Sequence, residues 1–388
     1  MSFANPGLQG RRLLPSYDLA LLFVIAAIAA MGIVMVFSAT ITTAELSRQT
    51  QFDALYFLKR QFMYLLLGAI AGGAVFAIEM RTWQRYAPWV FVAGMVLLVL
   101  VLVPGIGLKI NGARRWIPLG IVSLQPAELM KLAVVLYAAD YTVRKAAFMH
   151  SWTKGLIPLG GVILLAGGLV IVQPDAGSFA VMCAITAGIL WLGGMRVRIF
   201  LGLMGILGAA FFALIVTEPF RMKRIAAFMN PWDKPMADGY QLTHSLMAYG
   251  RGEWFGVGLG AGMEKQGYLP EAYNDFLMAV IAEELGFFGV LLVLLVFAWL
   301  IWRAFLIGRQ AIALDRAYSA LVAQGIGVWL GTQALVHAGV SMGALPTKGL
   351  TLPLMSFGGS ALMTICLALA ILLRVDFENR LLMRGKQI

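Results

Sequence analysis

Ten stretches of apolar residues dominate this sequence, and each is close to the roughly 20 residues that an α-helix needs to cross a bilayer. The chain is 61% hydrophobic and only 13% charged, whereas about a quarter of the residues in a soluble domain are charged. The pattern predicts an all-α polytopic membrane protein, with one membrane domain over residues 1–388. The predicted spans lie near 17–39, 61–79, 87–104, 126–143, 155–173, 178–195, 199–217, 276–303, 318–341 and 356–374.

The even number of predicted spans places both termini on one side of the membrane. The short loops at 143–154 and 195–198 carry arginine and lysine without acids, which is typical of cytoplasmic loops. Arg11 and Arg12 precede a first apolar run that is longer than the roughly 7–15 residues of a signal-peptide core. We therefore predict an uncleaved first span and cytoplasmic termini.

The longest connection, 218–275, joins the seventh and eighth spans on the predicted outer face. It is too polar to cross a membrane and too long for a simple turn, and loops of that kind are commonly functional. Within it, Tyr240–Tyr249 has the pattern of a short amphipathic helix.

Two further outer segments carry distinctive residues. The loop 108–120 combines an Asn111–Gly112 turn signal with Arg114 and Arg115. The segment 342–361 is apolar but interrupted by prolines and glycines, which predicts non-helical backbone at the membrane edge. Such backbone must be covered by protein or line a cavity.

Several classes of chemistry have no support in the sequence. No phosphate-binding Walker loop or dinucleotide fingerprint is present, so ATP use is not expected. The three histidines lie far apart and form no ligand spacing for a metal. The two cysteines, Cys183 and Cys366, lie in apolar runs and are interpreted as small buried side chains.

Six motifs, in order along nearly the whole chain, resemble the shape, elongation, division and sporulation (SEDS) family of bacteria. They are "FLKRQ" (57–61), "NGARRWIPLG" (111–120), "QPAELMKLAVVLYAADY" (125–141), "QPDAGS" (173–178), "GYLPEAYNDFLMAVIAEELG" (267–286) and "LPTKGLTLPLMSFGGSA" (345–361). Two departures stand out. The family usually has His-Thr where this chain has Tyr273-Asn274, and it often has glycine at Ala282.

The resemblance implies a peptidoglycan glycosyltransferase that polymerises lipid II on the outer face of the bacterial cytoplasmic membrane. It implies a class B penicillin-binding protein as the transpeptidase partner and other divisome membrane proteins as further partners, with no nucleic acid. Two motifs, "LPEAYNDF" and "TKGLTLP", are similar to the division-type members, which implies a location at the septum. The elongation-type polymerase is the alternative, and a divalent cation (Mg²⁺ or Mn²⁺) stays open as a cofactor.

Asp275 is the candidate catalytic residue. Glycosyl transfer from a polyprenyl diphosphate needs a general base for the acceptor hydroxyl and cations for the leaving group. Asp275 closes the long outer loop at the start of the eighth span, where the resemblance places a catalytic aspartate. From the local sequence alone, a helix N-cap is the preferred role of Asp275, and the resemblance tips the assignment to catalysis; the two roles can coexist.

Three cations are the candidate substrate ligands. We assign Arg114, Arg115 and Lys348 to the pyrophosphate, since arginine and lysine are the natural partners of phosphate. Anchoring to lipid headgroups is the alternative role for each of them.

Five further charged residues lie in or beside the spans, where charge is costly. Glu128 and Lys131 are three residues apart, so an ion pair on one helix face is expected, with a supporting role in activity implied by the resemblance. Helical geometry turns Glu283 and Glu284 in different directions, which predicts a site-lining role for Glu283 and a structural partner for Glu284. Asp175 is expected to cap a turn or helix.

Two other functions compete with the transferase. A lipid flippase or other transporter would also have many spans and buried charges, but the sequence has no evident repeat of paired broken helices. A division scaffold would bind partner helices and would not need Asp275.

Overall fold

A computed structural model describes residues 17–110, 112–120, 122–217, 219–237 and 239–386. Within these residues the chain forms twelve α-helices and one three-stranded antiparallel sheet. Arg11, Arg12 and the Asn111 of the predicted turn lie outside the described residues.

The helices and strands are as follows. The helices are α1 (Leu19–Leu46), α2 (Tyr56–Ala77), α3 (Met80–Leu100), α4 (Pro126–Arg144), α5 (Ile157–Val172), α6 (Ala176–Leu192), α7 (Val197–Val216), α8 (Pro219–Met229), α9 (Tyr240–Gly252), α10 (Leu277–Ala313), α11 (Ala317–Ser341) and α12 (Gly359–Met383). The strands are β1 (Leu108–Ile110), β2 (Ala113–Pro118) and β3 (Ser123–Leu124), all between α3 and α4.

Each of the ten predicted spans coincides with a helix, which confirms the all-α membrane fold. Seven helical stretches in the described part of the chain are long and apolar enough to cross a membrane: α1, α2, α3, α10, α11, α12 and the stretch Trp152–Val172 that contains α5. Helices α6 and α7 are apolar but shorter, and α4 carries four charged residues.

Helices α4 and α11 form the centre of the bundle. Helix α4 packs against α3, α6, α11 and α12, and α11 packs against α6, α10 and α12. Small residues permit this close approach, because a methyl group added at Gly188 would lie 2.9 Å from Val328 and one added at Gly325 would lie 2.8 Å from Ile189. The peripheral helices, by contrast, expose large apolar side chains such as Phe23, Leu165 and Leu295.

The long loop between α7 and α10 contains two helices. The predicted amphipathic helix is confirmed as α9, whose buried residues include Leu242, Ser245 and Ala248. Helix α8, which starts with a basic run, and the small sheet at 108–124 were not predicted from the sequence.

Helix α10 is broken at Gly286, where φ is 67° and ψ is −165°. The loop after α9 makes the backbone hydrogen bonds that the break interrupts: Val257 and Gly258 donate to the carbonyls of Glu283 and Glu284 at 2.9 and 3.1 Å. On the other side, Phe287 N–H donates to Glu253 O at 2.9 Å. A broken helix is therefore tolerated because protein replaces the missing bonds.

Substitution of Gly286 by alanine should destabilise the protein by about 3 kcal/mol or more, because the backbone conformation disfavours a side chain and the new methyl group meets backbone. An ideal Cβ at Gly286 would lie 2.3 Å from Gly256 N. Thermal unfolding of the purified protein in detergent measures this effect.

Gly73→Ala is the matched control, since the space around Gly73 in α2 is open within 4 Å. Its melting temperature should equal or exceed that of the wild type, because alanine favours helix more than glycine does. Equal melting temperatures for Gly286→Ala and Gly73→Ala would contradict the assigned role of Gly286.

Candidate active site at the membrane surface

Asp275 lies in a tight turn that leads into α10. The backbone N–H groups of Asn274 and Asp275 both donate to Glu271 O at 3.0 Å, and Glu271 has a positive φ of 55°. The N-cap residue of α10 is Phe276, and it makes no side-chain cap hydrogen bond. Asp275 is therefore not the N-cap residue of α10 in this structure.

Tyr273 occupies the position at which the family usually has histidine, and its ring packs beneath this turn. Ring centroids lie 5.1 Å apart for Phe57 and Tyr273, 5.1 Å for Phe57 and Phe357, and 5.9 Å for Tyr273 and Phe357. Burial raises the pKa of Tyr273 to about 12, so the phenol stays protonated at neutral pH. This aromatic cluster fixes the turn by packing.

Two guanidinium groups and two carboxylates shift the pKa of Asp275. Burial, followed by the Glu271 carboxylate, raises the pKa of Asp275 to about 6, whereas Arg224 and Arg115 oppose the rise and Asp175 adds to it. The result is a carboxylate that is ionised at neutral pH but more basic than an ordinary aspartate, as a general base should be.

Backbone carbonyls hold both arginines in place. Arg115 donates from Nε to Gln173 O at 2.7 Å and from Nη2 to Pro174 O at 2.6 Å. Arg224 on α8 donates from Nη1 to Thr347 O at 3.3 Å. Burial lowers the pKa of Arg224, Asp275 opposes that change, and Arg115 adds to it.

The three predicted phosphate ligands do not behave alike. Successive residues of a strand point to opposite faces, and Arg114 donates to Leu102 O at 3.3 Å, whereas Arg115 acts on Asp275. Lys348 precedes Gly349, where an added Cβ would lie 2.9 Å from Asp275 Oδ2. The backbone at Gly349, next to Lys348, therefore lies beside the carboxylate, while Arg114 bonds to the chain just after α3.

Arg224 and Glu271 were not among the residues predicted for the site. Arg224 lies in the basic run at 221–224, and Glu271 lies in the motif "LPEAYND" that carried the resemblance. Both were visible in the sequence, but nothing local to them indicated that the fold brings them to Asp275.

The segment 342–358 is non-helical, as its prolines and glycines predict, and it forms one wall of the site. Two polar residues of α11, four apart, hold its carbonyls: His337 Nδ1 lies 2.7 Å from Leu350 O, and Gln333 Nε2 donates to Thr351 O at 2.8 Å. On the other side, Ser356 Oγ donates to Asn274 O at 2.7 Å. The segment therefore ties α11 to the turn of Asp275.

Glu128 and Lys131 form a buried ion pair on α4, with a distance of 2.8 Å from Lys131 Nζ to Glu128 Oε1. Lys131 also lies 3.4 Å from Gln333 Oε1 and 5.6 Å from the centre of the Trp329 ring. Because Gln333 holds Thr351, this pair supports the wall of the site through α11.

Asp175 is the N-cap of α6 and links two parts of the site wall. Its carboxylate accepts from Ser178 N at 3.0 Å and from Gln125 Nε2 at 3.3 Å. Gln125 N–H in turn donates to Ser360 Oγ at 2.8 Å. Asp175 thus connects α6 to the starts of α4 and α12.

Glu283 and Glu284 lie next to the break in α10, and both contact the loop at 262–265. Glu283 accepts from the backbone N–H of Met263 at 2.7 Å, and its side chain is fully buried. Glu284 pairs with Lys265 at 2.5 Å and accepts from Ser38 of α1 at 2.8 Å. The expectation that Glu283 lines the substrate site does not fit this placement, because loop backbone occupies its carboxylate.

Loss of the Glu128 carboxylate should destabilise the protein strongly. Glu128→Gln leaves the Lys131 ammonium buried without its partner, at a cost of about 3–5 kcal/mol, and the double variant Glu128→Gln/Lys131→Met should recover most of that loss. Thermal unfolding of the three proteins in detergent measures it. A single variant as stable as the wild type would contradict the account of the pair.

The fold and the site define a multi-pass membrane protein with a basic carboxylate between cations at the membrane surface. A family model described as "Cell cycle protein", for FtsW, RodA and SpoVE, matches residues 18–381. The chain belongs to this family, which confirms the resemblance in the sequence motifs.

Two relatives carry the name "Probable peptidoglycan glycosyltransferase FtsW". The one from Aromatoleum aromaticum is 58% identical over 356 residues, which cover 91% of this chain and 86% of the relative. The one from Burkholderia thailandensis is 49% identical over 389 residues, which cover 100% of this chain and 84% of the relative.

Two solved structures share the fold. One, described as "Structural coordination of polymerization and crosslinking by a peptidoglycan synthase complex", has a TM-score of 0.76 at 28% identity and covers 94% of this chain and 98% of that chain. The other is the rod shape determining protein RodA of Thermus thermophilus, with a TM-score of 0.67 at 28% identity, covering 93% of this chain and 96% of that chain.

Proposed function

We propose that this protein is a peptidoglycan glycosyltransferase that polymerises lipid II on the outer face of the bacterial cytoplasmic membrane. Family membership and the named relatives favour a transferase over a transporter or a scaffold. The observation that carries the mechanism is Asp275, a carboxylate with a raised pKa beside Arg115 and Arg224.

In the proposed reaction a hydroxyl of the acceptor sugar attacks the anomeric carbon of the donor. Asp275 takes the hydroxyl proton as the new carbon–oxygen bond forms and the bond to the polyprenyl diphosphate breaks. Its pKa of about 6 suits this step, because the carboxylate is ionised at neutral pH yet basic enough to accept a proton.

The departing diphosphate gains charge in the transition state, so fixed cations should stabilise it. We assign this role to Arg115 and Arg224, since backbone carbonyls hold both groups in place before substrate binds. Lys348, on the segment that lies against Asp275, is proposed as a third cation. Arg114 and Glu283 are proposed to support the architecture of the site.

A metal ion is not assigned to this mechanism. Among the described residues, no group of three His, Cys, Asp or Glu side chains is placed to hold one. The described residues therefore offer no all-protein cage for Mg²⁺ or Mn²⁺, and the steps of the reaction are assigned to Asp275 and the arginines.

A class B penicillin-binding protein is the proposed transpeptidase partner, in keeping with the structural likeness to a chain of a peptidoglycan synthase complex. We propose a role at the division septum, alongside other divisome membrane proteins, because the named relatives are FtsW proteins. Cytoplasmic termini, as the basic loops indicate, would place Asp275 outside.

The direct test is polymerisation of labelled lipid II by the purified protein with its transpeptidase partner, in the presence of penicillin. Wild type should give glycan ladders on a gel, and Asp275→Asn and Asp275→Ala should lose them, because the base is absent. Asp233→Asn is the matched control: Asp233 is an exposed acid of the same outer loop, hydrogen-bonded to Asn230 at 2.7 Å. Ladders from folded Asp275 variants would refute the role of the base, and no ladder from the assembled wild type would refute the transferase.

The pH dependence should identify the neighbours of the base. Polymerisation should fall as the pH drops through about 6, because Asp275 then becomes protonated. Glu271 raises this pKa, so Glu271→Gln should move the acid limb to lower pH; Arg224 lowers it, so Arg224→Gln should move the limb to higher pH. Rates measured from about pH 5 to 8 bracket this pKa and give the midpoint of the acid limb for each protein. Midpoints that move in the same direction in both variants would contradict the assignment.

A further inference from the structure

An open cationic surface pocket, called the cavity below, lies at the opposite end of α3 and α4 from Asp275. Its volume is about 470 Å³, and it is lined by Arg81, Gln84, Arg85, Pro88, Asp140 and Arg144. None of these residues takes part in the active site described above.

The chain path places the cavity on the other membrane face. The sheet that carries Arg115 joins the end of α3 to the start of α4, whereas the cavity is lined by the first turns of α3 and the last turns of α4. Helix α4 has 19 residues, and at about 1.5 Å per residue it separates its ends by nearly the thickness of the bilayer core. The packing of Phe91 on Tyr137, with ring centroids 4.6 Å apart, fills the space between the helices.

The cavity combines three guanidinium groups with one carboxylate. Arg81, Gln84, Arg85 and Pro88 follow the i, i+3, i+4, i+7 spacing of a single helix face. Arg144 Nε donates to the buried Asp140 carboxylate at 2.7 Å, which fixes the guanidinium at the cavity. In the described part of the chain, no carboxylate forms an ion pair with Arg81 or Arg85, so the cavity carries excess positive charge.

Aromatic side chains place the cavity at the edge of the hydrocarbon region. Tyr86 and Trp89, on the same turns of α3, are 50% and 70% exposed, and these two residue types concentrate at the boundary between lipid and water. The cations that are enriched on one membrane face are usually spread over several loops. Here three arginines line the same cavity. Phosphate is the group that such an arrangement of arginines recognises.

We propose that this cavity binds the phosphate group of an anionic phospholipid in the leaflet opposite to the active site. Arg81, Arg85 and Arg144 supply the charge-assisted hydrogen bonds, and the Gln84 amide supplies a neutral donor. Asp140 positions Arg144 and leaves the cavity with a net positive charge. The proposal does not depend on the transferase activity.

Native mass spectrometry of the purified full-length protein, titrated with phosphatidylglycerol or phosphatidylcholine, tests this inference. Wild type should retain phosphatidylglycerol preferentially. The variant Arg81→Gln/Arg85→Gln/Arg144→Gln should bind it about tenfold more weakly or worse, because each cation near a membrane surface contributes about 1 kcal/mol.

The matched control is Arg196→Gln/Arg198→Gln/Arg309→Gln, which removes three exposed cations from the same membrane face. It should stay within about twofold of wild type, because distant exposed charges are screened. Equal losses of phosphatidylglycerol binding in both triple variants would show only general electrostatic attraction and would overturn the proposal of a specific site.

Inorganic phosphate is the probe that distinguishes a lipid headgroup from a free phosphate ion. This measurement needs only the wild type, so it does not depend on the folding of a variant. Retention of inorganic phosphate at millimolar concentration, without selective retention of phosphatidylglycerol, would assign the cavity to a soluble anion and overturn the lipid proposal. Equal retention of phosphatidylglycerol and phosphatidylcholine, without an effect of phosphate, would overturn the proposal.

Discussion

The architecture depends on satisfying backbone that is not helical at the depth of a membrane. An unpaired N–H or carbonyl costs several kcal/mol there, yet this protein breaks α10 at Gly286 and leaves 342–358 without helix. In both places other parts of the protein supply hydrogen bonds to the non-helical backbone. The loop after α9 pairs with the broken helix, and Gln333 and His337 bond to the carbonyls of Thr351 and Leu350. The second set of bonds fixes the wall beside Asp275, and the first keeps α10, which follows Asp275, in place.

The buried charges follow from the same constraint. Glu284 and Lys265 secure the loop beside the broken helix, and Glu128 and Lys131 secure α11 through Gln333. Each pair carries no net charge, which makes its burial tolerable. Asp275 differs, because burial and Glu271 raise its pKa while Arg224 and Arg115 oppose that rise. The buried ion pairs thus support the fold, whereas the groups around Asp275 set its pKa for proton transfer.

Sequence reasoning recovered what depends on local periodicity and spacing. The ten apolar runs, the amphipathic α9 and the i, i+3 relation of Glu128 to Lys131 can all be read within one helix. It did not recover contacts between distant segments. Arg224 reaches Asp275 only because α8 folds back to Thr347, and Glu283 meets backbone 20 residues earlier in the chain. Helical geometry gave the direction of Glu283 but could not show that the loop at 262–265 folds back to meet its carboxylate.

Asp275 is expected to titrate near pH 6, because burial and Glu271 raise its pKa while Arg224 and Arg115 oppose that rise. Infrared difference spectroscopy of the purified protein during a pH titration measures this directly, through the carbonyl stretch of a protonated carboxylic acid. The account predicts a band that disappears with a midpoint near pH 6 and is absent from Asp275→Asn. A titration of Asp275 with a midpoint near the ordinary aspartate value of 3.8 would contradict it.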